Sequence, residues 1–183
     1  MKGVITLKKQ STTMTKAVVV GTLILTCSLL FMATDFSTRS DEAAAIKVGE
    51  SLKKMQYEIQ VADIGTTAED RIKKQEEFKP FLTEQGYIAF AANRQSAIAT
   101  GYALKNDLNI RVKHIEFENM KQDNMEKDTF SFRYSIDLEL SPSELTSSKG
   151  TSVVTRTGHM SVVKQDDEWK VLKDLDNGFI ADE

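Results

Sequence analysis

An uncharged apolar run at residues 17–33 constrains this chain more than any other feature of its sequence. As a helix the run (AVVVGTLILTCSLLFMA) would span about 25 Å, close to the thickness of a bilayer's hydrocarbon core. Before the run the only charged residues are lysines, whereas acidic residues follow it closely. This asymmetry predicts a cytoplasmic basic N-terminus at residues 1–16. We therefore expect a single-pass transmembrane signal-anchor at residues 17–34, a tether at residues 35–42, and a C-terminal domain on the extracellular side of the cell membrane.

Two other interpretations of the run stay open on the sequence. A cleaved signal peptide would end at a small-residue site, but residues 31–34 (FMAT) match such a site poorly. A lipoprotein would be acylated at Cys27, but Thr26 stands before it where a small residue is usual, and apolar residues continue after it. All three interpretations export the rest of the chain. Cys27 is the only cysteine, so the exported part forms no disulfide, which suits a bacterial envelope protein.

The exported part is acidic, with 20 basic and 27 acidic residues from position 35 onward. Because such a surface repels phosphate backbones, we expect no nucleic-acid partner. A length of 183 residues, 40% of them hydrophobic, favours one folded domain with an ordinary core.

Three helices are predicted ahead of the strands. The first follows an apolar stripe in steps of three and four residues, which Gly65 ends. A capping-box pattern at residues 66–70 starts the second helix, which runs to about Lys79 before Pro80. Thr83 can cap a third helix to about residue 94. The stripe consists of Ala45, Val48, Leu52, Met55, Ile59 and Ala62.

This stripe has two interpretations. It could join two copies in a juxtamembrane coiled coil, which would make the protein a homo-oligomer through Ala45, Val48, Leu52, Met55 and Ile59. Fewer than three heptads and the small alanines favour instead a helix that covers the core of its own domain.

The second half of the exported part has the period of β-strands. Residues 130–140 alternate strictly between apolar and polar, so one face of the strand packs on the core and the other faces solvent. An earlier strand changes apolar parity near residues 113–114, which predicts a β-bulge. Further strands are expected at residues 151–164 and 168–173. Residues 96–104 fit either a helix or a strand, and a short strand is favoured there. The predicted class is α+β, with about three helices on one face of a curved antiparallel sheet of about four to five strands.

Several short motifs resemble a known superfamily. They are FLTEQGY at residues 81–87 with Asn93-Arg94, I-x-V-x-x-I-x-F at 110–117, and DEWKV at 167–171. With the order of helices and strands, they resemble the nuclear transport factor 2-like superfamily, also called the cystatin-like or ketosteroid-isomerase-like cone. The likeness is to its short, membrane-anchored extracytoplasmic members in Gram-positive bacteria. It implies that residues 43–176 form the cone and that residues 177–183 are a C-terminal tail.

The resemblance implies that an enzyme of this superfamily would carry an Asp or Glu base inside the cone, facing Tyr or acid hydrogen-bond donors. Parity places Asp137 and Glu139 on the outer face, so we expect no catalytic residue. Tyr134 shares the inward face, where it either meets a ligand or fills core with its hydroxyl bonded to a backbone carbonyl. Together with Tyr87 and His159 it forms the candidate set for a pocket.

Cofactor and metal motifs are missing from the sequence. Two histidines 45 positions apart and no cysteine outside the apolar run offer no transition-metal spacing. The nine glycines form neither a dinucleotide-binding nor a P-loop pattern. We therefore expect no metal and no cofactor.

These observations predict a non-enzymatic accessory protein anchored outside the cytoplasm. Its cone domain would bind another protein of a bacterial envelope complex, which the resemblance suggests could be conjugation machinery. Two alternatives remain: a cone that binds or converts a small apolar molecule, as isomerases or dehydratases do, and a structural spacer that associates with itself.

Overall fold

The computed structural model describes residues 39–123, 128–143 and 150–177. The predicted membrane anchor at residues 17–34 lies outside these ranges. Within them, no helix combines the length and apolar character needed to cross a bilayer. Contacts divide the chain into two units, Met1–Asp41 and Glu42–Glu183, and the second contains nearly everything described below.

Among the described residues, four α-helices precede the sheet. Helix α1 occupies residues 39–57, so it begins inside the predicted tether and ends well before Gly65. The others are α2 at Ala68–Glu76, α3 at Glu84–Ala92 and α4 at Gln95–Asn106. Helices α1, α3 and α4 each bury side chains in the core, whereas α2 has no buried residue. Three helices therefore pack on the sheet, which is the number predicted, but α4 takes the place of the predicted second helix, α2.

The apolar stripe predicted for the first helix is only partly helical. Ile59 has left α1 and forms a two-way backbone bridge with Ile110, with both N–H to oxygen distances at 2.9 Å. Ala45 and Leu52 are fully buried in the chain's own core, and Val48 and Met55 pack against it. The side chains that a coiled coil would use are therefore already covered within one chain, which favours the second interpretation of the stripe.

The expected strand at residues 96–104 is wrong, because this segment belongs to α4. Arg94 takes a left-handed conformation (φ 53°, ψ 32°) that turns the chain sharply between α3 and α4. Ala99 and Ala103 then lie one helical turn apart on the buried face. Because these side chains are so small, the sequence gives little hydrophobic periodicity, and only their packing identifies the helix.

The sheet has four antiparallel strands in the order β1-β2-β3-β4. They are β1 at Leu108–Gln122, β2 at Thr129–Pro142, β3 at Ser152–Gln165 and β4 at Glu168–Asp176. The bulge predicted near residues 113–114 is confirmed by a register shift between Val112 and His114. Strand β2 buries every second residue as its pattern predicts, and Asp137 and Glu139 lie on its outer face.

The interior is largely aromatic and aliphatic. Trp169 packs on Phe130 with ring centres 5.1 Å apart, and Phe117 meets Phe132 edge to face at 5.0 Å. Gly49 of α1 lies so close to the sheet that a Cβ there would stand 2.9 Å from the Met160 sulfur. This tight approach brings the buried face of α1 against the inner face of the sheet.

We expect replacement of Thr83 by alanine to lower the free energy of unfolding by about 1 kcal/mol. The Thr83 hydroxyl caps α3 by accepting the Gly86 N–H at 2.9 Å, and the side chain is only 3% exposed. Urea denaturation followed by fluorescence of Trp169 measures the loss. Thr83→Ser keeps the hydroxyl and should remain near wild type; an equal loss in both variants would contradict the capping role.

Candidate functional site

A lysine with no exposed surface lies at the centre of the cone. Lys53 is on α1, and its ammonium donates to three acceptors. These are Asp174 Oδ2 at 2.6 Å, Asp176 Oδ2 at 2.8 Å and Gln56 Oε1 at 3.0 Å. The ammonium also lies 4.6 Å from the centre of the Tyr134 ring. Its three donors are thus fully used, as the burial of a cation requires.

A bulge in β4 turns the two carboxylates inward. Val162 pairs with Val171 but Ser161 pairs with Lys173, which leaves Leu172 as an extra residue in the strand. Trp169 and Val171 face the core before the bulge. Without the bulge, regular alternation from Val171 would place residues 173 and 175 inside; with the bulge, Asp174 and Asp176 point inward instead.

Helix α3 packs against this bulge. A Cβ on Gly86 would lie 2.5 Å from the carbonyl oxygen of Val171, and the Thr83 N–H donates to the same oxygen at 3.0 Å. The start of α3 therefore lies directly against the segment that changes the parity of β4.

Two tyrosines complete the cluster. The Tyr134 hydroxyl donates to Asp174 Oδ1 at 2.9 Å, and the Tyr57 hydroxyl donates to Asp176 Oδ2. Gly158 pairs with Tyr134 across β2 and β3, and a Cβ on it would lie 2.2 Å from the tyrosine oxygen. The absence of a side chain at Gly158 thus lets the Tyr134 ring cross β3 and reach β4.

Amides connect this cluster to the start of α4. Gln56 Nε2 donates to the Gln95 carbonyl at 3.3 Å, and Gln95 Nε2 donates to the Asp174 carbonyl at 3.1 Å. We call Lys53, Gln56, Tyr57, Tyr134, Asp174 and Asp176 the polar cluster.

Burial dominates the electrostatics of the polar cluster. It raises the pKa of Asp174 above its ordinary value, because removal from water penalises the carboxylate more than the nearby Lys53 ammonium favours it. Burial and the two carboxylates likewise raise the pKa of Tyr57 and of Tyr134, so both phenols stay protonated and act as donors.

The three predicted pocket residues lie in different places. Tyr134 points into the cone and is 2% exposed, and its hydroxyl meets a carboxylate instead of a backbone carbonyl. Tyr87 is half-buried on α3, where its hydroxyl donates to Glu76 Oε1 of α2 at 2.9 Å. His159 is exposed on the outer face of the sheet.

The outer face carries a shallow depression of about 380 Å³. Arg133, Ser135, Thr157 and His159 contribute to its lining. Alternation along β2 and β3 puts these four side chains on the face opposite the Tyr134 ring. Tyr134 and Gly158 also line the depression, so it borders the polar cluster at Tyr134. Within the described ranges, no three His, Cys, Asp or Glu side chains are grouped so that they could hold a metal ion.

Sequence reasoning missed Lys53, Asp174 and Asp176. A weak signal existed, because Lys53 lies one helical turn after Gly49 and one before Tyr57, both of which are buried. The spacing of Asp174 and Asp176 by two residues also places both on one face of a strand.

Replacement of Tyr134 by phenylalanine should lower the free energy of unfolding by about 2 kcal/mol, because it removes a buried hydrogen bond to a carboxylate but keeps the ring. Tyr87→Phe is the matched control, since its hydroxyl bonds an exposed glutamate, and it should change stability little. Urea denaturation of both variants checks the difference. Equal losses of stability in the two variants would mean that burial of the polar cluster does not strengthen the Tyr134 hydrogen bond.

Two solved structures share this arrangement of elements. A periplasmic fragment of TraM aligns with a TM-score of 0.50 and 11% identity, over 75% of this chain and 97% of the fragment. An IcmL-like type IV secretion system protein from Legionella pneumophila aligns with the same TM-score and identity, over 75% of this chain and 91% of that protein. No protein-family description and no curated protein matches the chain. At this identity the likeness concerns the fold alone, which fits the predicted α+β cone.

Proposed function

We propose that this chain is an extracytoplasmic accessory protein whose cone domain binds another protein of a bacterial envelope complex. One observation carries the proposal: the cone aligns with nearly the whole length of a periplasmic fragment and of a type IV secretion system protein. The uncharged run at residues 17–33 and the lysines before it support anchoring in the membrane with the cone outside. The complex would be of the secretion or conjugation type, in a Gram-positive envelope.

The interior of the cone supports binding at the surface over catalysis inside. A superfamily enzyme needs acid and base groups that a substrate can reach. Here the inward carboxylates of Asp174 and Asp176 are 2% and 4% exposed and already hold Lys53. Their contacts leave little room for a small apolar ligand among them, so we assign the protein no enzymatic turnover.

Exposed apolar side chains offer surfaces for a partner. Ile88 on α3 and Leu104 on α4 are 61% and 51% exposed, whereas Val153 and Leu175 on the strands are 54% and 52% exposed. Large apolar side chains exposed on a charged protein often mark contact sites. The helices and the outer face of the sheet are thus two surfaces to compare.

The test uses the full-length tagged chain in its own cells. Protease added to intact protoplasts should remove the cone while the chain fractionates with membranes. A photoreactive residue at position 88, 104, 153 or 175 should then yield an adduct with one defined envelope protein from one surface, with the other surface as the matched control. A soluble cytosolic chain, protection from protease, or no adduct at any of the four positions would reject the proposal.

A further inference from the structure

We propose that Lys53 and Asp174 condense within the folded chain to form an intramolecular amide, an isopeptide bond that joins α1 to β4. The nucleophile and the carboxyl group are already in contact, with Lys53 Nζ at 2.6 Å from Asp174 Oδ2. Groups held at such a distance react as if at very high local concentration, because folding has already restricted their relative motion and the reaction loses little further entropy.

Three further members of the polar cluster have a place in this reaction. Asp176 Oδ2 lies 2.8 Å from Lys53 Nζ and can take its proton. The Tyr134 hydroxyl donates to Asp174 Oδ1 at 2.9 Å, so it faces the oxygen on which negative charge develops. Gln56 Oε1 accepts from Nζ at 3.0 Å and orients the nitrogen.

The chemistry balances without any other reagent. Asp176 takes one proton from the Lys53 ammonium, and the free nitrogen lone pair attacks Cγ of protonated Asp174. The C–N bond forms as Oδ1 gains charge. Asp176 then returns its proton to Oδ2, which leaves as water as the C–O bond breaks. The nitrogen gives its remaining extra proton to Asp176, and a neutral amide is left. The products are one secondary amide and one water molecule.

The surroundings favour the amide over the ion pair. Lys53 has no exposed surface, and the nearest carboxyl group is 2% exposed, so both charges are kept out of water at a cost. Burial also raises the pKa of Asp174, which favours the protonated acid that the attack requires. Condensation removes both charges and releases one water molecule. Because the site is buried, water has little access to it and hydrolysis of the amide is disfavoured.

The bond would link positions 121 residues apart. It would fasten α1 to β4 in a body that contains no cysteine. A covalent cross-link would therefore take the place of the disulfide that this composition excludes. The chemistry requires only the folded chain, so it is independent of the proposed partner.

Intact-mass spectrometry of the purified full-length chain tests the bond. We expect a mass below that of the sequence by one water molecule. Trypsin should then release one branched peptide that joins residues 48–54 to residues 174–183. A chain of full sequence mass, or a water loss located in any other peptide, would overturn the proposal; this measurement needs no variant, so folding defects do not affect it.

Variants assign the roles. Lys53→Met and Asp174→Ala should each have the full sequence mass, and Asp176→Ala should form the bond at least 10-fold more slowly or not at all. Lys54→Met is the matched control, because Lys54 is exposed and pairs with Glu50 of its own helix at 2.7 Å, and it should keep the water loss. Loss of water in Lys53→Met or in Asp174→Ala would refute the assignment.

Discussion

Replacement of Lys53 by methionine is expected to lower the free energy of unfolding by at least about 3–5 kcal/mol, the range for removing one partner of a buried ion pair, because loss of a covalent link between α1 and β4 would add to that cost. Methionine fills much of the same volume, so the loss does not come from a cavity. Asp174 and Asp176 would remain buried in one site without the ammonium that separates their charges. Urea denaturation followed by the fluorescence of Trp169 measures the change.

A rescue experiment separates repulsion from lost packing. Changing Asp174 and Asp176 to asparagine in the Lys53→Met chain removes both buried charges, so stability should recover substantially relative to the single variant. Neither chain contains Lys53, so the comparison is the same whether or not a covalent bond forms in the wild type. If the added asparagines give no recovery, the carboxylates were not the source of the loss.

Gly158→Ala is expected to destabilise the cone by about 3 kcal/mol, because one methyl group overpacks the sheet and displaces a hydrogen-bonded ring. The new Cβ would lie 2.3 Å from Tyr134 Cζ and 2.7 Å from the Leu175 carbonyl oxygen. The ring must move off β3, and its hydroxyl then loses Asp174. Near-ultraviolet circular dichroism should report the displaced tyrosine together with the lower denaturation midpoint.

Gly101→Ala provides the matched control for the same substitution. Gly101 lies inside α4, and a Cβ there meets no other atom within 4 Å. Alanine should therefore stabilise the chain by about 0.5–1 kcal/mol through helix propensity and a less flexible unfolded state. If both alanine variants destabilise alike, close approach of the Tyr134 ring is not what requires glycine at position 158.

The polar cluster lies inside an otherwise apolar cone. Lys53 links the first helix to the last strand, and Tyr134 links the central strand β2 to the same carboxylates. The interior thus holds the fold together and leaves the surface for a partner. This division of roles is consistent with the accessory function proposed above.

Some elements could be predicted from the sequence because the forces that make them are local. The alternation at residues 130–140 follows from the pleat of a strand, and β2 buries its apolar residues accordingly. Thr67 and Thr83 cap α2 and α3 as predicted, since a cap depends on residues within one turn. The bulge beside His114 was likewise visible as a change of parity within a few residues.

Other elements depend on groups far apart in the chain. The burial of Lys53 is favourable only because Asp174, 121 residues later, faces it across the cone. Asp174 faces inward only because Leu172 is an extra residue in β4. Residues 168–176 alone do not reveal this bulge, which becomes visible only when β4 is paired with β3. The sequence by itself therefore determined the α+β layers, the caps and the clearest strand, through local hydrogen bonds and periodicity. Only the tertiary structure decided which charges are buried, because a buried charge is stable only beside its partner.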